Sequence, residues 1–94
     1  MKLISIKPSP KADKKLVAKF ENNGREKNIH FGAKGMDDYT KTRDDKQKAR
    51  YLDRHRKNEN WNDPDTAGAL SRWILWNKQT RQASIADYKR RFNL

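Results

Sequence analysis

Ala67-Gly68-Ala69-Leu70-Ser71-Arg72-Trp73-Ile74-Leu75-Trp76 decides how this chain folds, because two of its three tryptophans fall there within four positions. At about 100° per residue, Leu70, Trp73, Ile74, Ala67 and Ala69 cover one broad side of a helix. Trp76 extends that side and Leu75 falls on another, so only Ser71 and Arg72 are clearly polar. A helix apolar around most of its circumference is a central, buried one. Pro64 with Asp63 and Asp65 supplies its expected start, since proline is tolerated in a first turn and acids suit a helix N-terminus. Ten residues interrupted by Arg72 are too short to span a bilayer. Base stacking on Trp73 or Trp76 is the competing use, but so small a domain needs its tryptophans as core. Trp61, in the turn ahead of this helix, is read as lateral cover for the core. It is also the tryptophan most readily given to a ligand.

The surroundings must serve that core with little apolar material. Of the 94 residues, 33% are hydrophobic and 37% charged, a balance typical of chains that do not fold. Three Trp, three Tyr and three Phe exceed what a solvating chain needs, however. The expectation is a single domain over 1–94, with a β-rich part at 1–31 and a three-helix part at 41–94. The absence of cysteine excludes a disulfide framework and a thiolate metal site. Met1 to Ile6 offers neither a long apolar segment nor a cleavage pattern. The chain is therefore expected to be soluble, neither secreted nor transmembrane, and either intracellular or packaged inside a particle.

Charge is the strongest signal. Twenty-three Lys and Arg face twelve Asp and Glu, giving +11 and an isoelectric point near 10.1. Self-repulsion on that scale destabilises a compact domain, and an anionic partner relieves it. Nucleic acid is the commonest such partner, ahead of anionic lipid and acidic proteins.

Upstream of the central helix, the pattern is that of strands. Lys2 to Lys7 places Ile4 and Ile6 on one side and Leu3 on the other, before Pro8-Ser9-Pro10 breaks the run. From Lys15, Leu16, Ala18 and Phe20 share a face. Asn22-Asn23-Gly24 then supplies a turn, because these residues tolerate positive φ. Lys27, Ile29 and Phe31 alternate with Asn28 and His30 beyond it. The reading is a hairpin with a third strand beside it, apolar on one face and carrying Lys15, Lys19 and His30 on the other. Gly32-Ala33-Lys34-Gly35 lacks the spacing of a phosphate loop and reads as a strand-to-helix connection.

Thr42 is the expected N-cap of the next helix, with Asp44 and Asp45 in its first turn and an end near Lys57. Arg43, Lys46, Arg50, Arg54 and Lys57 recur at three, four, four and three and so share one side. Tyr51, Leu52 and His55 oppose them. The stripe spans about 21 Å at 1.5 Å per residue, the reach of a helix laid across several phosphates. A merely solvated face intersperses both signs; here Asp53 stands only at the edge, which favours an anion-binding role. The last helix, capped by Thr80, aligns Ile85, Tyr88 and Phe92, and its Lys89, Arg90 and Arg91 suit a negative helix terminus while enlarging the basic surface.

An enzyme is not expected. His30 and His55 have no metal-ligand spacing, and His55 with Asn58 makes only half of a His–Asn metal site. The serines have no positioned base. Asp37-Asp38 and Asp44-Asp45 are the remaining carboxylate pairs, the second explained by helix initiation. No catalytic residue, metal or cofactor is read.

Several strings together resemble a known group. They are Ile29-His30-Phe31-Gly32-Ala33-Lys34-Gly35-Met36, Asp38-Tyr39-Thr40, Tyr51-Leu52-Asp53-Arg54-His55-Arg56-Lys57-Asn58-Glu59-Asn60-Trp61, Thr66 to Lys78, and Ala83 to Phe92. The chain is similar to a family of small, basic, uncharacterised proteins of large double-stranded DNA viruses of algae and amoebae. The resemblance runs over about residues 28–94, leaving out the first 27. It implies a viral setting in which long DNA is compacted or transcribed, in the nucleus or viral factory of an infected host or in the virion interior. It also implies that the helical part is the shared module. It brings no activity, cofactor or catalytic residue.

The expected fold is thus α+β: an antiparallel hairpin or three-stranded sheet followed by three helices around the tryptophan helix. The expected function is binding of nucleic acid, double-stranded DNA foremost, through phosphates and with little sequence readout, as in viral genome packaging or architecture. Arg43, Lys46, Arg50, Arg54 and Lys57 lead, followed by Lys34, Lys89, Arg90 and Arg91. The alternative is a structural virion protein whose basic surface meets an acidic viral or host protein.

Overall fold

The computed structural model describes residues 1–94. Its Cα radius of gyration, 12.8 Å, lies close to the value of about 12 Å for a folded chain of this length. The aromatic content therefore outweighs the disorder-like composition.

Three antiparallel strands come first, in the order β1 (Lys2–Pro8), β2 (Lys14–Asn22), β3 (Arg25–Ala33). Asn23 and Gly24 make the β2–β3 turn with φ of 54° and 80°, and Asn22 pairs with Arg25 across it. Two central residues at positive φ match the right-handed twist of the flanking strands, which is why Asn-Gly is favoured there. Leu16 faces Phe31 and Ala18 faces Ile29, so the alternation expected of both strands is realised.

β1 departs from the expectation. Its register shifts between Leu3 and Ser5, so Leu3 pairs with Phe20 and Ile6 with Ala18. This bulge puts Leu3 and Ile6 together against the core, while Ile4 is 41% exposed. A bulge adds one unpaired residue, so strict alternation misassigns one side of it. Lys15 is the second correction. Instead of sharing an open polar face with Lys19 and His30, it brings Nζ to 2.6 Å from the buried Asp38 carboxylate.

The helical part holds α1 (Tyr39–Thr42), α2 (Asp45–His55), α3 (Ala67–Leu70) and α4 (Arg81–Phe92). A π-helical turn, Ser71–Leu75, continues α3. The single turn α1 was not expected, and it displaces the predicted cap. Thr42 closes α1, whereas the Asp44 carboxylate accepts from the N–H groups of Lys46 and Gln47 at 3.0 and 3.1 Å and starts α2. Helix α2 ends at His55, two residues short of the predicted Lys57. Thr66, and not the Pro64 segment, caps α3 by accepting from Ala69 N–H. Thr80 caps α4 as expected.

The segment 67–76 is central, but it is not a regular α-helix. Trp76 N–H donates to Ser71 O five residues back, and the wider turn lets Ile74, Leu75 and Trp76 all be buried in succession. These residues meet the sheet at Leu16, Ala18, Phe20 and Phe31, α2 at Tyr51 and α4 at Tyr88. Trp76 stacks on Tyr51 with centroids 4.3 Å apart and planes 8° from parallel. Gly32 permits the close fit at the strand end: its φ is 79°, and a Cβ there would lie 2.8 Å from Leu75 Cδ1. Buried polar groups find partners, as in Tyr88 Oη donating to Pro64 O at 2.6 Å and Asn77 Nδ2 to Asp87 Oδ2 at 2.7 Å. Burial pushes the Tyr88 phenol well above its ordinary pKa. No helix is long and apolar enough to cross a membrane.

Candidate nucleic-acid interface

Helix α2 carries the ridge. Lys46, Arg50 and Arg54, each four residues from the next, are exposed on its outer side, while Tyr51 is buried beneath. Arg43 and Lys57 are exposed too, but neither is helical. Arg43 sits at the corner between α1 and α2 with φ of 53°, its N–H donating to Tyr39 O at 2.9 Å. Lys57 lies in the turn after His55. The helical part of the ridge is eleven residues, about 16 Å long instead of about 21 Å. None of these five cations is within 4.0 Å of a carboxylate; the ion pairs involve Lys15, Lys19, Lys27, Lys41, His55, Arg81, Arg90 and Arg91.

Two hollows flank Arg54. One, about 340 Å³, runs between α2 and the Gly35–Asp37 segment and is lined by Gln47, Arg50, Arg54 and Trp76. The other, about 330 Å³, lies between the end of the sheet, α2 and α3. His55 and Glu59 line it, with His55 Nδ1 3.0 Å from Glu59 Oε2 and the ring stacked on Tyr51 at 4.2 Å. Trp61 Nε1 donates to the other Glu59 oxygen at 3.0 Å, so Trp61 is tied to the domain. Burial raises the Tyr51 phenol to about 12, with Glu59 adding to the effect.

The second group of predicted residues is divided. Lys34 is exposed just before the Gly35–Asp37 wall of the first hollow, and thus belongs beside the ridge. Lys89, Arg90 and Arg91 end α4; Arg90 and Arg91 lean on Asp87 at 3.2 and 3.4 Å, and Lys89 has no such partner. Asp38, weighed as half of a carboxylate pair, is engaged by Lys15, by Thr40 and, at 3.9 Å, by Arg81. Burial alone would raise its pKa, but these partners hold it below the usual carboxylate range. No three His, Asp or Glu side chains are grouped to hold a metal ion.

Three cations escaped the sequence reading. Lys48 is tucked inward, with Nζ 2.7 Å from Asn77 O and 4.7 Å from the Tyr39 ring centroid. Arg72 lies 4.2 Å from the Trp73 ring centroid, and Arg56 stands close enough to lower its pKa. The only signal was Arg72 itself, a lone cation inside an apolar decapeptide.

The fold and this surface define a small basic α+β domain with an unpaired cationic ridge. The chain belongs to a family of unknown function (DUF5754), which it matches over residues 4–55. That span takes in nearly all of the sheet, α1 and α2, and with them Lys34, Arg43, Lys46, Arg50 and Arg54. The shared module thus includes the strands, contrary to the expectation that it was the helical part alone. No curated protein and no solved structure matches the chain.

Proposed function

We propose that the chain binds nucleic acid, double-stranded DNA foremost, by laying the α2 ridge across successive phosphates. The observation that carries this reading is the set Arg43, Lys46, Arg50, Arg54 and Lys57: five exposed cations, none satisfied by the protein's own carboxylates. On a chain of net charge +11, such a ridge concentrates positive potential where counterion release rewards phosphate contact. Ridge contacts of this kind position a duplex without reading its sequence, which suits a role in genome packaging or architecture, in a large DNA virus as the sequence resemblance implies. The domain acts as a binding protein and not as an enzyme.

Fluorescence anisotropy with a labelled duplex over a salt series tests the proposal. Neutralising about five phosphates gives a slope of log K against log salt near −4.5. Charge reversal at Arg43, Lys46 and Arg50 removes most of the affinity and flattens the slope. A slope near zero, or unchanged binding by that variant, rejects the reading. Binding that survives nuclease treatment and follows an acidic protein assigns the ridge to a protein partner.

A further inference from the structure

Arg72 is buried among aromatics without an acid. Its guanidinium lies 4.2 Å from the Trp73 ring centroid and 5.4 Å from that of Trp61. Nη1 donates to Trp76 O at 2.7 Å, while Nε is buried with no hydrogen-bond partner. A second guanidinium, that of Arg91, stands 3.7 Å from the same Trp73 centroid. Asp87, the nearby carboxylate, is already shared by Asn77, Arg90 and Arg91.

The surrounding charges make the deficit plain. Burial lowers the pKa of Arg72, and Arg91 on α4 and Arg56 after α2 lower it further; Tyr51 and Asp87 oppose them. Lys48 is depressed by burial, then by Arg72 and Lys78, with Asp45 opposing. Desolvated cations are costly unless paired, and indole faces and one carbonyl offset only part of that cost. Two guanidiniums gathered on one indole repel each other unless an anion joins them. The platform is held in place, since Trp73 Nε1 donates to Trp61 O at 2.8 Å.

We propose that Arg72 and Arg91, flanked by Arg56 and floored by Trp73, form a phosphate-binding site separate from the α2 ridge. Planar guanidinium forks match phosphate oxygens pairwise. A tetrahedral group can serve forks arriving from two elements at once, whereas the two oxygens of a carboxylate serve one. The phosphate comes either from a nucleic-acid backbone or from free inorganic phosphate. The first source rests on the function proposed above; the second stands without it.

Tryptophan emission and melting midpoint are recorded in sodium phosphate and in sodium chloride at matched ionic strength. Wild type gives a saturable emission change specific to phosphate. At about five times the dissociation constant, the midpoint rises by about 4–8 °C. The variant K46Q/R50Q/R54Q responds like wild type, whereas R91Q, at a half-exposed position, loses the response at least tenfold. R72K, which keeps the charge without the fork, loses it as well. A phosphate response no larger than that of chloride, or R91Q responding like wild type, overturns the site. If R91Q also weakens duplex binding and reduces the salt slope by about 0.9, the phosphate is a backbone one; if duplex binding is unchanged, it is free phosphate. A flat salt dependence of DNA binding beside a saturable phosphate response removes the ridge reading and keeps this site.

Discussion

The cations of this protein fall into an outer and an inner group, and the two obey different physics. Lys46, Arg50 and Arg54 stand in solvent on α2 without carboxylate partners. Lys15, Lys48 and Arg72 are drawn into the domain and held by Asp38, Asn77 O and the indole of Trp73. An outer cation costs the fold little beyond mutual repulsion and remains free to meet an anion. An inner one is part of the packing, so its loss is felt as instability. Counting charges from composition merges the two groups, and only their surroundings separate them.

The contrast breaks first at Asp38. Removing one partner of a buried ion pair costs about 3–5 kcal/mol, and Asp38→Ala should lower stability by that order in urea unfolding. Acid should show the same contact. The folded-state pKa of Asp38 lies below its ordinary value of 3.8, so its stabilisation is present above that pH and is lost as pH falls through the folded value. Wild type therefore loses urea resistance below about pH 4, and Asp38→Asn flattens that limb by removing the titrating group. Asp87, lowered likewise despite its burial, supplies the residual slope.

Arg72→Ala is the next largest effect. It deletes a charge-assisted bond to Trp76 O and a cation–π contact, together about 2–3 kcal/mol. Urea unfolding that finds Arg72→Ala as mild as a ridge substitution would erase the distinction between inner and outer cations. The ridge itself provides the smallest effect. Lys46→Ala, Arg50→Ala and Arg54→Ala should each shift stability by no more than about 0.5 kcal/mol. Because they relieve repulsion in a chain of +11, that shift should be toward greater stability at low salt and vanish as salt screens it.

Much of this architecture was legible because local chemistry and tertiary structure agree. Asn23-Gly24, the alternation of Leu16, Ala18 and Phe20, the Thr80 cap and the buried 67–76 segment each follow from rules that need no neighbours. The bulge at Leu3–Ser5 was hidden because an inserted residue leaves no mark on composition. Thr42 and Asp44 are both good caps two positions apart, and only the extra turn α1 decides between them. The ridge was legible as a pattern, although Arg43 and Lys57 fall beyond the helix that the pattern assumed. Arg72 and Arg91 lie nineteen positions apart in sequence, and nothing in either neighbourhood announces that one indole receives both.

The π turn at 71–75 works as a one-residue vernier. Excising a single residue there would restore ordinary helical pitch and swing everything downstream by about 100°. Trp76 would leave its place against Tyr51, Asn77 would part from Asp87, and α4 would dock out of phase with the sheet. A deletion should therefore harm this chain more at Ser71–Leu75 than in the exposed loop at Lys11–Asp13, although both remove the same length of backbone.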